Sequence, residues 1–277
     1  MRINKWLLSA TLPLVLTGCF EGNKNTDQLC ADNPGLRCDQ LNMNDGQCRL
    51  PRTDLIWHRF EVIKQPTNVN KIEEFKLVAA YKKCLELASQ IAPIDQSALK
   101  EKRFSALLHS IDEIDRIVNE LSSATDPQTL YFLWSQIGDM EARRSFLQLE
   151  GTKALNTAEM QYALATFYTT RDQEKTIVLL NNALKLSNKS NVNREIFKSL
   201  ASIHHQLGEK EKAYIWAMVA KKYEVLVASE AELNLLYGFT PEIYEQLDEI
   251  AENIEDAIDD AQYTPNLIPQ KYDLAAE

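Results

Sequence analysis

The chain has 277 residues, 45% of them hydrophobic and 25% charged, and its formal net charge is −10. These values exclude a wholly disordered chain, a collagen and a multi-span membrane protein. Only 8 Gly and 9 Pro over this length argue against an all-β sandwich or a Gly-rich nucleotide-binding fold, and the acidic balance gives general nucleic-acid binding no electrostatic support.

The first element is an export signal, expected to span residues 1–18. Arg2 and Lys5 are its basic start, and Trp6 to Leu16 form an apolar run interrupted only by Ser9, Thr11 and Pro13. That run is too short for a spanning helix, which needs ~20 apolar residues. It ends in Leu16-Thr17-Gly18-Cys19. This resembles the lipobox of bacterial lipoproteins, a Leu and two small residues before a Cys. The resemblance implies that Cys19 becomes the first residue of the mature protein and carries acyl chains, palmitate among them. A thiol takes the diacylglyceryl thioether, and small residues before it enter the signal peptidase. Several chains anchor a domain stably where one binds only marginally. Phe20 stands where an Asp retains such lipoproteins in the inner membrane. The resemblance therefore implies the inner leaflet of the Gram-negative outer membrane, with the protein facing the periplasm. Loss of the signal removes two bases and no acids, so the mature net charge is −10 − 2 = −12.

Residues 19–53 are expected to be a Cys-rich tether and loop segment, rich in Asn, Asp, Gly and Pro. With Cys19 acylated, Cys30, Cys38, Cys48 and Cys84 remain. An even count in an exported chain suggests two disulfides, with three possible connectivities. Such crosslinks supply what burial does not. Cys84 lies on a predicted helix and can tie the segment to the main body. The preferred pairing is Cys30–Cys38 with Cys48–Cys84; one local disulfide with Cys84 as a buried free thiol is the alternative. Zinc is disfavoured, because no Cys-x-x-Cys occurs and no His is near. Asn42 to Gly46 reads as an Asx/Gly turn, since a calcium loop with Gly46 in sixth place puts Leu41 and Met43 at ligand positions.

Residues 54–125 are expected to be helices. Leu55–Ile63 form one, stopped by Pro66. Residues 70–91 form another, with Leu77, Tyr81, Cys84, Ala88 and Ile91 on its apolar face and Pro93 as its stop. Residues 97–122 place Phe104, Leu107 or Leu108, Ile111, Ile114, Val118 and Leu121 on one face. The acids Asp112, Glu113 and Asp115 then fall on a solvated face. No useful segment alternates with period two, so the fold class is all-α.

Residues 126–228 hold three predicted helical hairpins, marked by Gly138-Asp139, Arg171-Asp172 and Leu207-Gly208. The last places Ala213, Ala217 and Ala220 after Phe197, Leu200, Ala201 and His204. This resembles a tetratricopeptide repeat, whose small residues let paired helices approach closely. An irregular helical bundle gives the same periodicity. More broadly, the lipobox, Asn33-Pro34 to Cys38, Leu41-Asn42, Asp45-Gly46 to Cys48-Arg49 and the helical body resemble a family of Gram-negative lipoproteins with an uncharacterised domain. That resemblance implies no activity and no site.

Residues 229–262 are expected to form an acidic capping helix, and 263–277 a mobile tail. From Tyr223 to Gln270 there are twelve acids and no Lys or Arg. Ile243, Leu247, Ile250, Ile254, Ala257 and Ala261 make a narrow apolar stripe. A solvated cap accounts for the acids. An acidic docking surface for a basic partner, or a loose divalent-cation site, is the functional alternative.

No Gly-x-Ser-x-Gly, His-Glu-x-x-His or phosphate-binding Gly loop occurs. His58, His109, His204 and His205 are expected in core or surface roles, and Trp134 and Trp216 in the core. No catalytic residue, metal site or cofactor is expected, and the protein is expected not to be an enzyme. The preferred function is an outer-membrane-anchored scaffold with an envelope protein partner. A ligand- or peptidoglycan-binding module is the alternative, which a pocket lined by several aromatics favours; an enzyme of unrecognised type is the third class. Cys19→Ser is expected to abolish acyl labelling, and labelling that persists in this variant would refute the lipid anchor.

Overall fold

Polar turns and capping residues break the chain into short helices. The computed structural model describes residues 25–91 and 97–269, and every regular element among them is helical. The chain is all-α and divides into two units, Met1–Asp115 and Arg116–Glu277. The lipobox-like residues Leu16, Thr17, Gly18 and Cys19, and the expected helix stop at Pro93, lie outside the described residues.

The first unit holds α1 (Thr26–Asp32), α2 (Arg49–Lys64), α3 (Asn68–Ala88) and most of α4 (Ser97–Leu121). Asn25 caps α1 by accepting from the Gln28 amide at 2.7 Å. Turns of 3-10 helix follow at Pro34–Leu36 and Cys38–Gln40. Leu29 and Leu36 pack on Ile56, with Cys30, Cys38, Leu41, Met43 and Phe60 around them. The segment expected to be loop thus carries helical turns and lays its few apolar side chains on α2. That helix begins at Arg49, ahead of the expected boundary at residue 54. Pro51 sits in its first turn, where a missing N–H costs nothing.

Disulfides join Cys30 to Cys38 and Cys48 to Cys84, at Cα separations of 5.9 and 5.7 Å. The first closes a local loop; the second ties the segment to α3. Arg37 and Cys48 both have left-handed backbones, at φ 56° and 59°. Non-glycine residues hold that conformation only when their surroundings enforce it. For Cys48 the enforcing contact is the disulfide to α3. For Arg37 it is a pair of carboxylates, Glu74 at 3.2 Å and Glu113 at 2.9 Å.

The centre of this unit is charged. Arg103 clamps Asp45 with two bonds, Nε to Oδ2 at 2.5 Å and Nη2 to Oδ1 at 3.1 Å, and both side chains are at most 5% exposed. Arg103 also donates to the Ala88 carbonyl at the C-terminus of α3, which accepts from the Ile91 amide as well. Buried Arg52 donates to the carbonyls of Asn42 and Asp45. The Tyr81 hydroxyl bonds Asn42 twice, and burial pushes its pKa up to about 12. Arg59 reaches Glu74 at 3.3 Å and Glu113 at 3.2 Å. Within the Asn42–Gly46 turn, Asn42 and Asp45 therefore form a buried polar hub.

This network corrects two expectations for α4. Glu113 is buried and ion-paired, not solvated, while Asp112 and Asp115 are exposed. The buried face of α4 carries Arg103, Ala106, Ser110, Glu113, Ile117 and Leu121. Phe104, Leu108 and Ile111, assigned to the core by hydrophobicity, are 55%, 47% and 40% exposed. The period is helical in both readings, but the face is turned by one residue. Charged groups went inward because each finds a partner there, which a count of apolar residues does not register.

The second unit is built on hairpins. Asp126 caps α5 (Pro127–Phe132), which runs into a π turn at Leu133–Ile137; α6 (Met140–Gln148) follows the turn at Gly138. Gly138 and Gly208 have φ of 83° and 76°, values that favour glycine. Next come α7 (Ala158–Tyr168) against α8 (Gln173–Lys185), and α9 (Glu195–Gln206) against α10 (Lys210–Lys222). Trp134 is half-buried among Tyr131, Phe146 and Phe167. Every residue of α10 from Ala213 to Ala220 is buried, so this helix is the unit's axis. Trp216 on α10 stacks near Phe197 of α9.

The C-terminal region contains two helices rather than one, α11 (Glu230–Tyr237) and α12 (Pro241–Asp259). A capping box of Ser229 with Glu232 starts α11, and Gly238 ends it. The stripe of α12 buries Leu247, Ala251, Ile254 and Ile258 against α10. Tyr263 is buried, meets the Trp216 ring edge-on and donates to Asn181, so the expected mobile tail is packed at its start. Residues 270–277 lie outside the described residues.

Asp45→Asn is expected to destabilise the fold by about 3–5 kcal/mol in urea melts, because Arg103 then stays buried without its counter-charge. Glu141→Gln, at an exposed pair with Arg144, is expected to change nothing measurable. The Arg103 bond holds the Asp45 carboxyl below its ordinary value of 3.8. The unfolded chain therefore binds this proton first as the pH falls. Wild-type stability is expected to drop below pH ~4 and to level once the folded Asp45 protonates, and Asp45→Asn is expected to lose that part of the acid limb.

Candidate functional site

An open groove of 870 Å³ lies where α10, α11 and α12 meet. Its floor is aromatic. Tyr214 projects from the buried axis helix, Phe239 from the α11–α12 turn and Tyr244 from the first turn of α12. The Tyr214 ring lies 5.0 Å from Tyr244 and 6.3 Å from Phe239, in tilted and edge-on arrangements. Tyr237 stacks behind Phe239 at 5.8 Å. Such ring pairs add rigidity beyond their buried area. The Tyr244 hydroxyl accepts from the Phe239 amide and donates to the Asn234 carbonyl, which pins the turn between the helices.

The rim is acidic. Asp248 accepts from the Tyr214 hydroxyl at 2.9 Å. Burial, and then this bond, raises the Tyr214 pKa above the ordinary tyrosine value, so the phenol remains a donor. Glu230 pairs with Lys221. Glu245, Glu249 and Glu252 are exposed and make no ion pair among the described residues. The acids further along α12 differ: Glu255 pairs with Lys222 at 3.2 Å, while Asp259 pairs with Lys189 and accepts from Tyr223. Negative charge near a helix C-terminus opposes the macrodipole, so pairing there is stabilising. Within the groove, Glu249 faces like charges at i−4 and i+3. Such pairs destabilise a helix by a few tenths of a kcal/mol each. The groove acids are therefore not there to support the helix.

The chain's family is shown by its sequence. It belongs to the DUF2989 family, described as Protein of unknown function, whose model matches residues 16–218. No curated protein and no solved structure matches this DUF2989 member. The family match ends within α10, so it includes Tyr214 but not α11 or α12.

The residues singled out in the sequence do not converge on the groove. Cys30, Cys38, Cys48 and Cys84 are in the two disulfides of the first unit. His58 contacts the Asn70 carbonyl, and His204 is buried against Glu209. His109 is half-buried, and His205 meets the Tyr237 ring edge-on. No group of three or more His, Cys, Asp or Glu among the described residues is placed to hold a metal ion, and no helix among them is long and apolar enough to cross a membrane. Sequence reasoning flagged the acids but missed Tyr214, Phe239 and Tyr244. The available signal was the aromatic cluster Tyr237, Phe239 and Tyr244 around the α11–α12 turn, within an acidic run free of Lys and Arg.

Glu249→Gln is expected to raise the melting temperature by roughly 1–2 °C in low salt, as two like-charge pairs disappear. The gain is expected to shrink at about 0.5 M salt, where screening already weakens the repulsion. Calorimetry at the two salt concentrations checks this.

Proposed function

We propose that this DUF2989 member is a lipid-anchored periplasmic lipoprotein of the outer membrane that acts as a non-enzymatic protein-interaction scaffold in the cell envelope. The observation that carries this reading is the groove on α10–α12, a rigid aromatic floor beside carboxylates left unpaired at some cost to the helix. Residues that reduce the stability of their own fold are found where a surface has a task. The groove is open to solvent, and a catalytic site of this charge works best where water is excluded. Binding therefore fits it better than catalysis. The lipobox-like Leu16–Cys19 supplies the anchor in this proposal, and stacked helix pairs supply an extended surface.

The second reading is a ligand- or peptidoglycan-binding module. Three aromatic rings in one groove favour it. Peptidoglycan bears carboxylates of its own, which the acidic rim repels, so the scaffold is the better fit.

Crosslinking of the native protein in intact cells, followed by mass spectrometry, tests the proposal. A specific, near-stoichiometric envelope protein is the expected result. Recovery of abundant bystanders alone overturns the scaffold reading and shifts weight to a small ligand.

A further inference from the structure

We propose that the aromatic groove of α10–α12 docks a basic helical segment of the partner, with Lys or Arg at i, i+4 and i+7. This rests on the scaffold reading above.

Glu245, Glu249 and Glu252 are themselves at i, i+4 and i+7 on α12, so their carboxylates climb the groove over about 10 Å of helix axis. The cations of a partner helix at the same spacing meet all three in register. An extended strand advances ~6.6 Å between same-face residues, so it loses register with that ladder by the third carboxylate. The floor suits the same ligand. The methylene stems of Lys and Arg pack on aromatic faces, and their charged heads gain from the ring quadrupole. Phe239 and Tyr244, both half-buried in the groove lining, offer those faces above the buried Tyr214 ring. Leu235, which follows the groove-lining Asn234 on α11, is 88% exposed, and an amphipathic segment that extends past Asn234 meets it as apolar footing.

The charges also define what the groove rejects. Its lining holds Glu230, Glu245, Asp248, Glu249 and Glu252 and no basic side chain. Lys221 neutralises Glu230 only. An acidic peptide or a phosphate-bearing ligand meets uncompensated repulsion there. The carboxylate ladder is linear rather than convergent, which suits a row of cations better than one ion.

The test uses the mature lipidated protein in detergent micelles. The probe is a fluorescent synthetic helix with Lys and Arg at i, i+4 and i+7, compared with an isomer of equal charge and altered spacing. Anisotropy is expected to show tighter binding of the first peptide. The Glu245→Gln/Glu249→Gln/Glu252→Gln variant is expected to weaken it by roughly tenfold or more, with a shallower salt dependence. A variant with Glu141, Glu159 and Glu174 changed to Gln carries the same net charge and is expected to bind as wild type. Circular dichroism checks that both variants fold, and Leu235→Ser is expected to weaken the peptide independently of charge. Equal binding of the two peptides, or equal loss in the two variants, overturns the docking proposal. So does displacement of the peptide by stoichiometric spermidine, which makes the site one for polyamines. In-cell crosslinking of the groove variant separates the two claims. A partner captured as well as by wild type sinks the groove proposal and leaves the scaffold standing; no specific partner from either protein sinks the scaffold.

Discussion

A buried guanidinium must be paired wherever the chain places it, and this requirement organises the first unit. Arg52, Arg59 and Arg103 are buried on α2 and α4, and Arg37 reaches in from the preceding segment. Their partners are Asp45, Glu74, Glu113 and backbone carbonyls. Four cations against three carboxylates leave Arg52 to carbonyls alone, so the Asn42–Asp45 backbone has to lie across α2. Residues 25–48 carry too few apolar side chains to define that placement through burial. The ion pairs and two disulfides define it instead. Buried pairs are weak sources of net stability, but breaking one is costly. That asymmetry penalises alternative placements of the segment.

The second unit follows the opposite logic. Its axis helix α10 is buried on all sides and is held by ordinary packing of Ala, Ile, Val, Met and Trp. Small residues at 213, 217 and 220 allow α9 and α12 to approach closely. Charge is confined to the periphery, where its arrangement is free to serve a partner. Tyr214 links the two zones, since its ring is in the core and its hydroxyl reaches Asp248 on the groove rim. The aromatic floor is thus fixed by the core and does not need to be ordered by a ligand, which lowers the entropic cost of binding.

Helix α12 shows how one acidic run divides into two roles. Its C-terminal acids meet Lys189, Lys222 and Tyr223 from neighbouring elements. Glu245, Glu249 and Glu252 before them are exposed to solvent. Composition alone assigns all twelve acids between Tyr223 and Gln270 to one category. The lysines that separate them lie earlier in the chain and reach α12 only in the folded state.

Much of the fold was legible in the sequence because its causes are local. Helical period and the turns at Gly138 and Gly208 depend on neighbours within a few residues. The lipobox-like Leu16-Thr17-Gly18-Cys19 is a local sequence pattern of the same kind. Tertiary structure decided which face of α4 went inward, and it chose the charged one because Asp45 and Arg59 wait there, 58 and 54 residues away in sequence. It also packed the first residue of the expected mobile tail, burying Tyr263 against Trp216 and Asn181. The groove belongs to this second class. Tyr214, Phe239 and Glu249 are unremarkable in sequence and become one surface only when α12 packs on α10. Local patterns fix what each helix is; partners distant in sequence fix what each face does.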